Sequence, residues 1–166
     1  MTESYCVRLA KEQFVFSSAH FITFDGDICE RLHGHNYRVA AEITGPLDEN
    51  HYVVDFIAAR DALLAITGEL DHHVLLPTDH REISVSEEGD EVVARFRERR
   101  WVFPKDDCRL LPVANTTAEL LARHIGLLLA DLLREKTGAT QLGLMVSVDE
   151  CDGQLGVWRG VEPQTG

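Results

Sequence analysis

No two cysteines in this 166-residue chain stand close enough in sequence to form a CxxC pair. The four present, Cys6, Cys29, Cys108 and Cys151, lie far apart, which in a reducing compartment points to free thiols rather than a disulfide framework. Nor is there an apolar run long enough to cross a bilayer, or a basic head leading into an apolar stretch over residues 1–20. Neither a membrane span nor a secretion signal is expected, and the default location is the cytoplasm. Positive charge is scarce: 16 Lys and Arg against 28 Asp and Glu leave a formal net charge of −12. A nucleic-acid partner would need a basic face to neutralise phosphates, so that class is excluded. The one basic cluster, Arg95 to Arg100 (RFRERR), reads as the solvated face of an exposed strand. Internal linkers and repeats of solenoid period are also missing, and the length suits one domain over residues 1–166.

What is present is a pattern of short alternating segments and two helices. Tyr5 to Phe16 reads as a strand, followed by a loop carrying the turn signal Asp25-Gly26-Asp27. HNYRVAAEITG alternates with Tyr37, Val39, Ala41 and Ile43 on one face, so it is a second strand, antiparallel to the first. Asp55 is placed to cap a helix on which Phe56, Ala59, Leu63 and Ile66 recur at helical spacing. A pair of shorter strands near Glu82–Ser86 and Glu91–Phe96 turns at Glu88-Gly89-Asp90, giving an extra hairpin around residues 80–104. A longer helix follows, with Thr116-x-x-Glu119 as its capping box and Lys136 and Gly138 at its end. A last hairpin turns at Cys151-Asp152-Gly153. The plan is α+β, an antiparallel sheet with two helices on one face.

The chemistry concentrates in CERLHGHNY, residues 29–37. On a strand, His33 and His35 point to the same face, and Gly34 between them lets another backbone come close. The antiparallel pairing brings His20, past the end of the first strand, beside them. Three histidines without a fourth protein ligand form the pattern of a catalytic Zn²⁺ site with an open position, against the blander reading of three unconnected strand-end histidines. Cys29, four residues before His33, reads in three ways: a thiolate base favoured by a nearby dication, a fourth ligand that would close the site, or an inert loop thiol. In LDHH, Asp71 precedes His72 at a helix end and can orient it as a proton shuttle, or simply cap a turn. Glu150 ends an otherwise apolar strand. Its carboxylate could accept two parallel N–H bonds from a guanidine-like edge such as that of a pterin, or be a solvated hairpin residue.

FSSAH, CERLHGHNY, VVDF, LDHH, TTAE and VDE occur in the order of the 6-pyruvoyl-tetrahydropterin and 6-carboxy-tetrahydropterin synthase family, which the chain resembles over nearly its whole length. The resemblance implies the tunnelling fold, assembled through trimeric barrels into a homo-hexamer with active sites at subunit interfaces. It implies a lyase acting on 7,8-dihydroneopterin triphosphate, with Zn²⁺ on His20, His33 and His35. Cys29 matches the family's proton-abstracting thiol, Asp71 and His72 its relay, and Glu150 its pterin anchor, with Glu119 and Thr117 as further substrate contacts. The short spacing between Cys29 and His33 resembles bacterial 6-carboxy-tetrahydropterin synthases of the queuosine pathway. Glu30, next to Cys29, resembles a bifunctional subgroup that also releases 6-hydroxymethyl-dihydropterin for folate synthesis, and is a possible second acid/base. The alternatives are a 6-pyruvoyl synthase, a zinc hydrolase with Glu30 as its base, and a non-catalytic zinc-binding scaffold. Arg8, Lys11, Arg31 and Arg38 are the candidate contacts for the triphosphate. The hairpin around 80–104 is longer than the family usually carries there and is expected to decorate the barrel.

Overall fold

The structure, a computed structural model, describes residues 3–25, 28–139 and 141–161. Gly26 and Asp27 of the expected turn lie outside the described residues. β1 (Tyr5–Leu9) and β2 (Val15–His20) precede two short strands that pair with each other, β3 (Thr23–Phe24) and β4 (Ile28–Cys29), and then the long β5 (His33–Gly45). β1 and β2 both lie antiparallel along one edge of β5, β1 opposite Ala41–Gly45 and β2 opposite His33–Arg38. The single strand expected over Tyr5–Phe16 is therefore broken. The Phe14 N–H turns back to the Lys11 carbonyl (3.1 Å), while its own carbonyl still accepts from Val39 (2.8 Å).

On β5 the alternation holds, and Tyr37, Val39, Ala41 and Ile43 are all buried. α1 (Phe56–Leu70) begins at Asp55, whose carboxylate accepts from the Ile57 and Ala58 N–H groups at 2.7 and 2.9 Å. That satisfies two of the orphan donors of the first turn. β6 (His73–Pro77) comes next, then β7 (Ile83–Glu88), β8 (Glu91–Phe96), β9 (Arg99–Pro104) and β10 (Cys108–Leu111). β6 and β10 are parallel to each other and β6 is parallel to β2, so the main sheet is mixed, though mostly antiparallel. The inserted hairpin is in fact a three-stranded sheet, β7–β8–β9, and RFRERR forms the β8–β9 turn and its flanks.

α2 (Ala118–Thr137) ends at Gly138, left-handed at φ 68°, whose N–H reaches the Arg134 carbonyl, the geometry that favours glycine there. The expected capping box does not form. Thr117, not Thr116, is the N-cap, and Thr116 is fully buried with its hydroxyl donating to the Phe21 carbonyl (3.2 Å). β11 (Gly143–Cys151) and β12 (Gln154–Val161) complete a main sheet ordered β10–β6–β2–β5–β11–β12, with β1 also on β5.

Two apolar cores result. The larger lies between the main sheet and the helices; the smaller gathers Phe21, Leu76, Ile83, Val92, Ala94, Phe96 and Cys108 under the inserted sheet. β6 serves both: Leu75 enters the first core and Leu76 the second. The α2 N-terminus presses on β12 at Gly156, where a Cβ would lie 2.3 Å from the Ala118 carbonyl carbon and 2.4 Å from the Glu119 nitrogen. Backbone on both sides leaves no room, so Gly156→Ala is expected to cost about 3 kcal/mol. A thermal melt should fall by roughly 6–12 °C for a chain of this size.

Candidate functional site

His20 ends β2 directly opposite His33, which begins β5, and His35 follows two residues on. All three rings share the face that carries Phe16 and Tyr37. Ring centroids are 4.8 Å apart for His20–His33 and His33–His35 and 5.3 Å for His20–His35. A Cβ on Gly34 would sit 3.0 Å from the Ser18 carbonyl oxygen, so a glycine is what lets the two strands close up here.

Two of the rings are fixed by backbone carbonyls. His20 Nδ1–H donates to Thr116 (2.9 Å) and His33 Nδ1–H to Arg31 (2.8 Å). A carbonyl can only accept, so in each the lone pair is left on Nε2, as in ligating histidines whose other nitrogen is held by an outer partner. The ligand nitrogens of the three lie within 4.8 Å of one another. The Nε2 atoms of His20 and His35 are buried and lack a hydrogen-bond partner. Burial, with the charges of His33 and His35, pushes His20 down to about 4, so it is neutral at neutral pH.

Glu150 sits at a bulge in β11. Its Oε1 stands 3.2 Å from His20 Nε2 and 3.7 Å from His35 Nε2, and accepts from the Tyr37 hydroxyl at 3.4 Å. Burial and Glu150 together raise the Tyr37 phenol. The lone pair of neutral His20 thus faces a carboxylate oxygen, with the unpartnered His35 Nε2 beside it, an arrangement that calls for a cation between them. This donor set fits Zn²⁺, with three imidazole ligands and an open position. Cys29 is not among the convergent ligands, so it does not close the site.

Cys29 is half-buried at the end of β4. Burial raises its thiol, the Arg99 guanidinium opposes this, and Glu30 adds to it. Glu30 Oε2 lies 3.8 Å from His33 Nε2. Asp71 closes α1, its Oδ1 accepting from the Ser17 N–H (2.7 Å) and its Oδ2 meeting His72 Nδ1 (2.7 Å). The Ser17 bond is the main reason the Asp71 carboxyl is held below its usual range, with His72 adding to it. His72, left-handed at φ 59°, lines a cleft of about 430 Å³ with Ser17, Ala19, Gly34 and Asn36, residues of the alternate face of β2 and β5. His35 is the one triad member among the residues lining it. One chain therefore brings Glu150 and Glu30 to the triad but sets the Asp71–His72 pair across the sheet.

Thr117 makes no side-chain cap bond, and Glu119 is exposed in the first turn of α2. Arg8 pairs with Glu42 and Arg38 with Asp152, whereas Arg31 is exposed beside His33. Sequence reasoning missed the backbone groups that hold the site, Ser17, Arg31 and Thr116. It also missed Tyr37 as a partner of Glu150; the only signal for it was a tyrosine on the same strand face as the histidines.

The chain matches the 6-pyruvoyl tetrahydropterin synthase family over residues 9–157. It belongs to that family. A Methanocaldococcus jannaschii protein named provisionally as a 6-carboxy-5,6,7,8-tetrahydropterin synthase is 31% identical over 145 residues, covering 87% of this chain and 88% of its own. A Pyrococcus horikoshii protein with the same provisional name is 34% identical over 112 residues, covering 67% and 66% respectively. The 6-pyruvoyltetrahydropterin synthase of Plasmodium vivax has a TM-score of 0.85 at 27% identity, covering 96% of this chain and 99% of its own. A second P. vivax structure, at 26% identity and TM-score 0.85, is of a variant whose replaced catalytic residue is a glutamate. The fold is thus the tunnelling fold of this lyase family, and the protein is a pterin synthase of the 6-pyruvoyl/6-carboxy type. No helix among the described residues is long and apolar enough to cross a membrane.

Proposed function

We propose that this synthase converts 7,8-dihydroneopterin triphosphate to 6-carboxy-5,6,7,8-tetrahydropterin, the queuosine-pathway reaction. The observation that carries this is the triad itself, with the buried, unpartnered Nε2 atoms of His20 and His35 facing Glu150 and His33 Nε2 bordered by Glu30 of the Cys29–Glu30 segment. His20, His33 and His35 would hold Zn²⁺, which when bound supplies Lewis-acid polarisation of the substrate's side-chain oxygens. The Glu150 carboxylate accepts paired N–H bonds from the amino-pyrimidinone edge of the pterin, with Glu119 and Thr117 as further contacts. Cys29 as thiolate takes a proton from a side-chain carbon. Ionised Asp71 keeps the proton of His72 on Nδ1, so Nε2 is free to take up and return a proton on the other side.

Because His72 opens on the opposite face of the sheet, a second copy must supply one half of this set. That supports assembly as a homo-hexamer with sites between subunits. Asp71→Asn is expected to lower kcat about a hundredfold with little change in KM, since the amide no longer fixes the His72 tautomer. Steady-state kinetics at saturating substrate test it.

A second reading rests on Glu30, whose carboxylate lies 3.8 Å from His33 Nε2. Protonating a different carbon, it would direct release of 6-hydroxymethyl-dihydropterin. The deciding experiment is mass identification of the product from zinc-loaded protein and 7,8-dihydroneopterin triphosphate. Carboxy-tetrahydropterin with acetaldehyde supports the first reading and hydroxymethyl-dihydropterin the second. No turnover by zinc-bound protein overturns both.

A further inference from the structure

A hydrogen bond from the inserted sheet reaches the active-site segment. Arg99, the first residue of β9, donates from Nη1 to the Cys29 carbonyl at 2.6 Å. Its guanidinium lies over the Trp101 ring at 4.5 Å, and that ring is stacked on Phe21 at 4.4 Å with the planes 15° apart. Phe21 is fully buried and follows the ligand His20 in the chain, and its carbonyl holds the Thr116 hydroxyl. A continuous path therefore runs from the triad through Phe21, Trp101 and Arg99 to Cys29.

The β3–β4 pair, which carries Cys29 on β4, is tied down at β3 as well. Thr23 Oγ1 accepts from His80 Nε2 (2.7 Å), because His80 Nδ1 is committed to the Glu82 and Ile83 N–H groups (both 2.9 Å). The Thr23 carbonyl accepts from Asn115 Nδ2 (3.0 Å). Only an arginine can lie flat on an indole and still aim an in-plane N–H at a carbonyl; lysine offers a point charge without the fork. The charged groups that act on the Cys29 thiol are Arg99 from β9 and the adjacent Glu30, opposite in sign.

We propose that Arg99 is a positioning residue for Cys29, and that the inserted sheet is a wall of the active site which delivers it. This rests on Cys29 being the proton-abstracting thiol. The bond to the carbonyl fixes the backbone of residue 29, and the guanidinium favours the thiolate against Glu30. The structural match to the P. vivax protein extends into the insert, since the 4% of this chain outside that match is too short to contain β7–β9.

The test is Arg99→Met in zinc-loaded, full-length protein, with Arg99→Lys and Cys29→Ala beside it. The readouts are kcat, KM, and the pH dependence of Cys29 alkylation by iodoacetamide, followed on the Cys29 peptide by mass spectrometry. Arg99→Met should lower kcat by roughly 10- to 100-fold with KM within about threefold, and move the alkylation midpoint up by about one pH unit. Lysine should restore the midpoint more than the kcat, because it returns the charge without the fork. Unchanged alkylation and kcat in Arg99→Met, with Cys29→Ala inactive, overturns the role of Arg99. An active Cys29→Ala instead removes the reading of Cys29 on which it rests. Should Arg99→Met not fold, Trp101→Leu leaves the guanidinium but removes its platform. Cys29 alkylation at pH 7 must then change by more than about threefold, or the proposal falls.

Discussion

Replacing Cys29 by alanine is expected to lower kcat by roughly a thousandfold, within the range that loss of a positioned acid or base produces, while zinc content stays at the wild-type level. The second half of that outcome follows from geometry, because the thiol is outside the ligand group of His20, His33 and His35. It also separates the mechanisms. A zinc hydrolase using Glu30 on bound water would keep its rate in the alanine variant, and a non-catalytic scaffold would have no rate to lose. The thiol's half-buried setting raises it, so an active enzyme needs cations nearby to bring it back toward neutrality. Metal analysis beside single-turnover kinetics gives both halves of the test.

Chelation of the metal should have the second largest effect, on stability and its pH dependence. A ligand held at a thousand times its Kd stabilises the folded chain by about 4 kcal/mol, so stripped protein should melt roughly 8–16 °C lower. In the stripped protein His20 adds an acid-labile contribution of definite sign. Its folded value, about 4, lies below the unfolded 6.5, so the folded state resists protonation. Stability is complete above pH 6.5 and falls as the pH drops from there toward 4. The loss amounts to about 3 kcal/mol by linkage, since the ring is 1% exposed and little screened. Denaturant unfolding of stripped protein at pH 7, 5.5 and 4 measures it. His20→Gln should flatten that part of the curve. An equal acid sensitivity in wild type and variant would mean that the triad is not the source.

Elements with a one-sided pattern were legible in the sequence. β5 shows clean alternation because one face meets the helices, and Asp55 and Gly138 mark helix ends by chemistry that acts within a few residues. β6 and β10 were not legible as strands. They are buried from two sides, so HVLLP and CRLL lack the period-2 signature, and their parallel pairing depends on partners far away. The capping box failed for a related reason, since Thr116 is drawn to the Phe21 carbonyl, 95 residues away in sequence. At the site, residue types and spacing pointed to His20, His33, His35 and Glu150, which the fold brings together. The groups that hold His20, His33 and the nearby Asp71 are main-chain atoms of Thr116, Arg31 and Ser17, and main-chain atoms carry no signature of their own. Arg99 lay in a run that looked like a solvated strand. Only the packing of the insert reveals its aim at Cys29.

The strand with Leu75 in one core and Leu76 in the other has a bearing on how the protein breathes. Its amides should be among the last to exchange with deuterium, because opening β6 requires both layers to part at once. The catalytic sheet and the insert would then lose protection at the same denaturant concentration. Trimming the insert away would leave Phe21 and Leu76 facing water beside the last residue of β2.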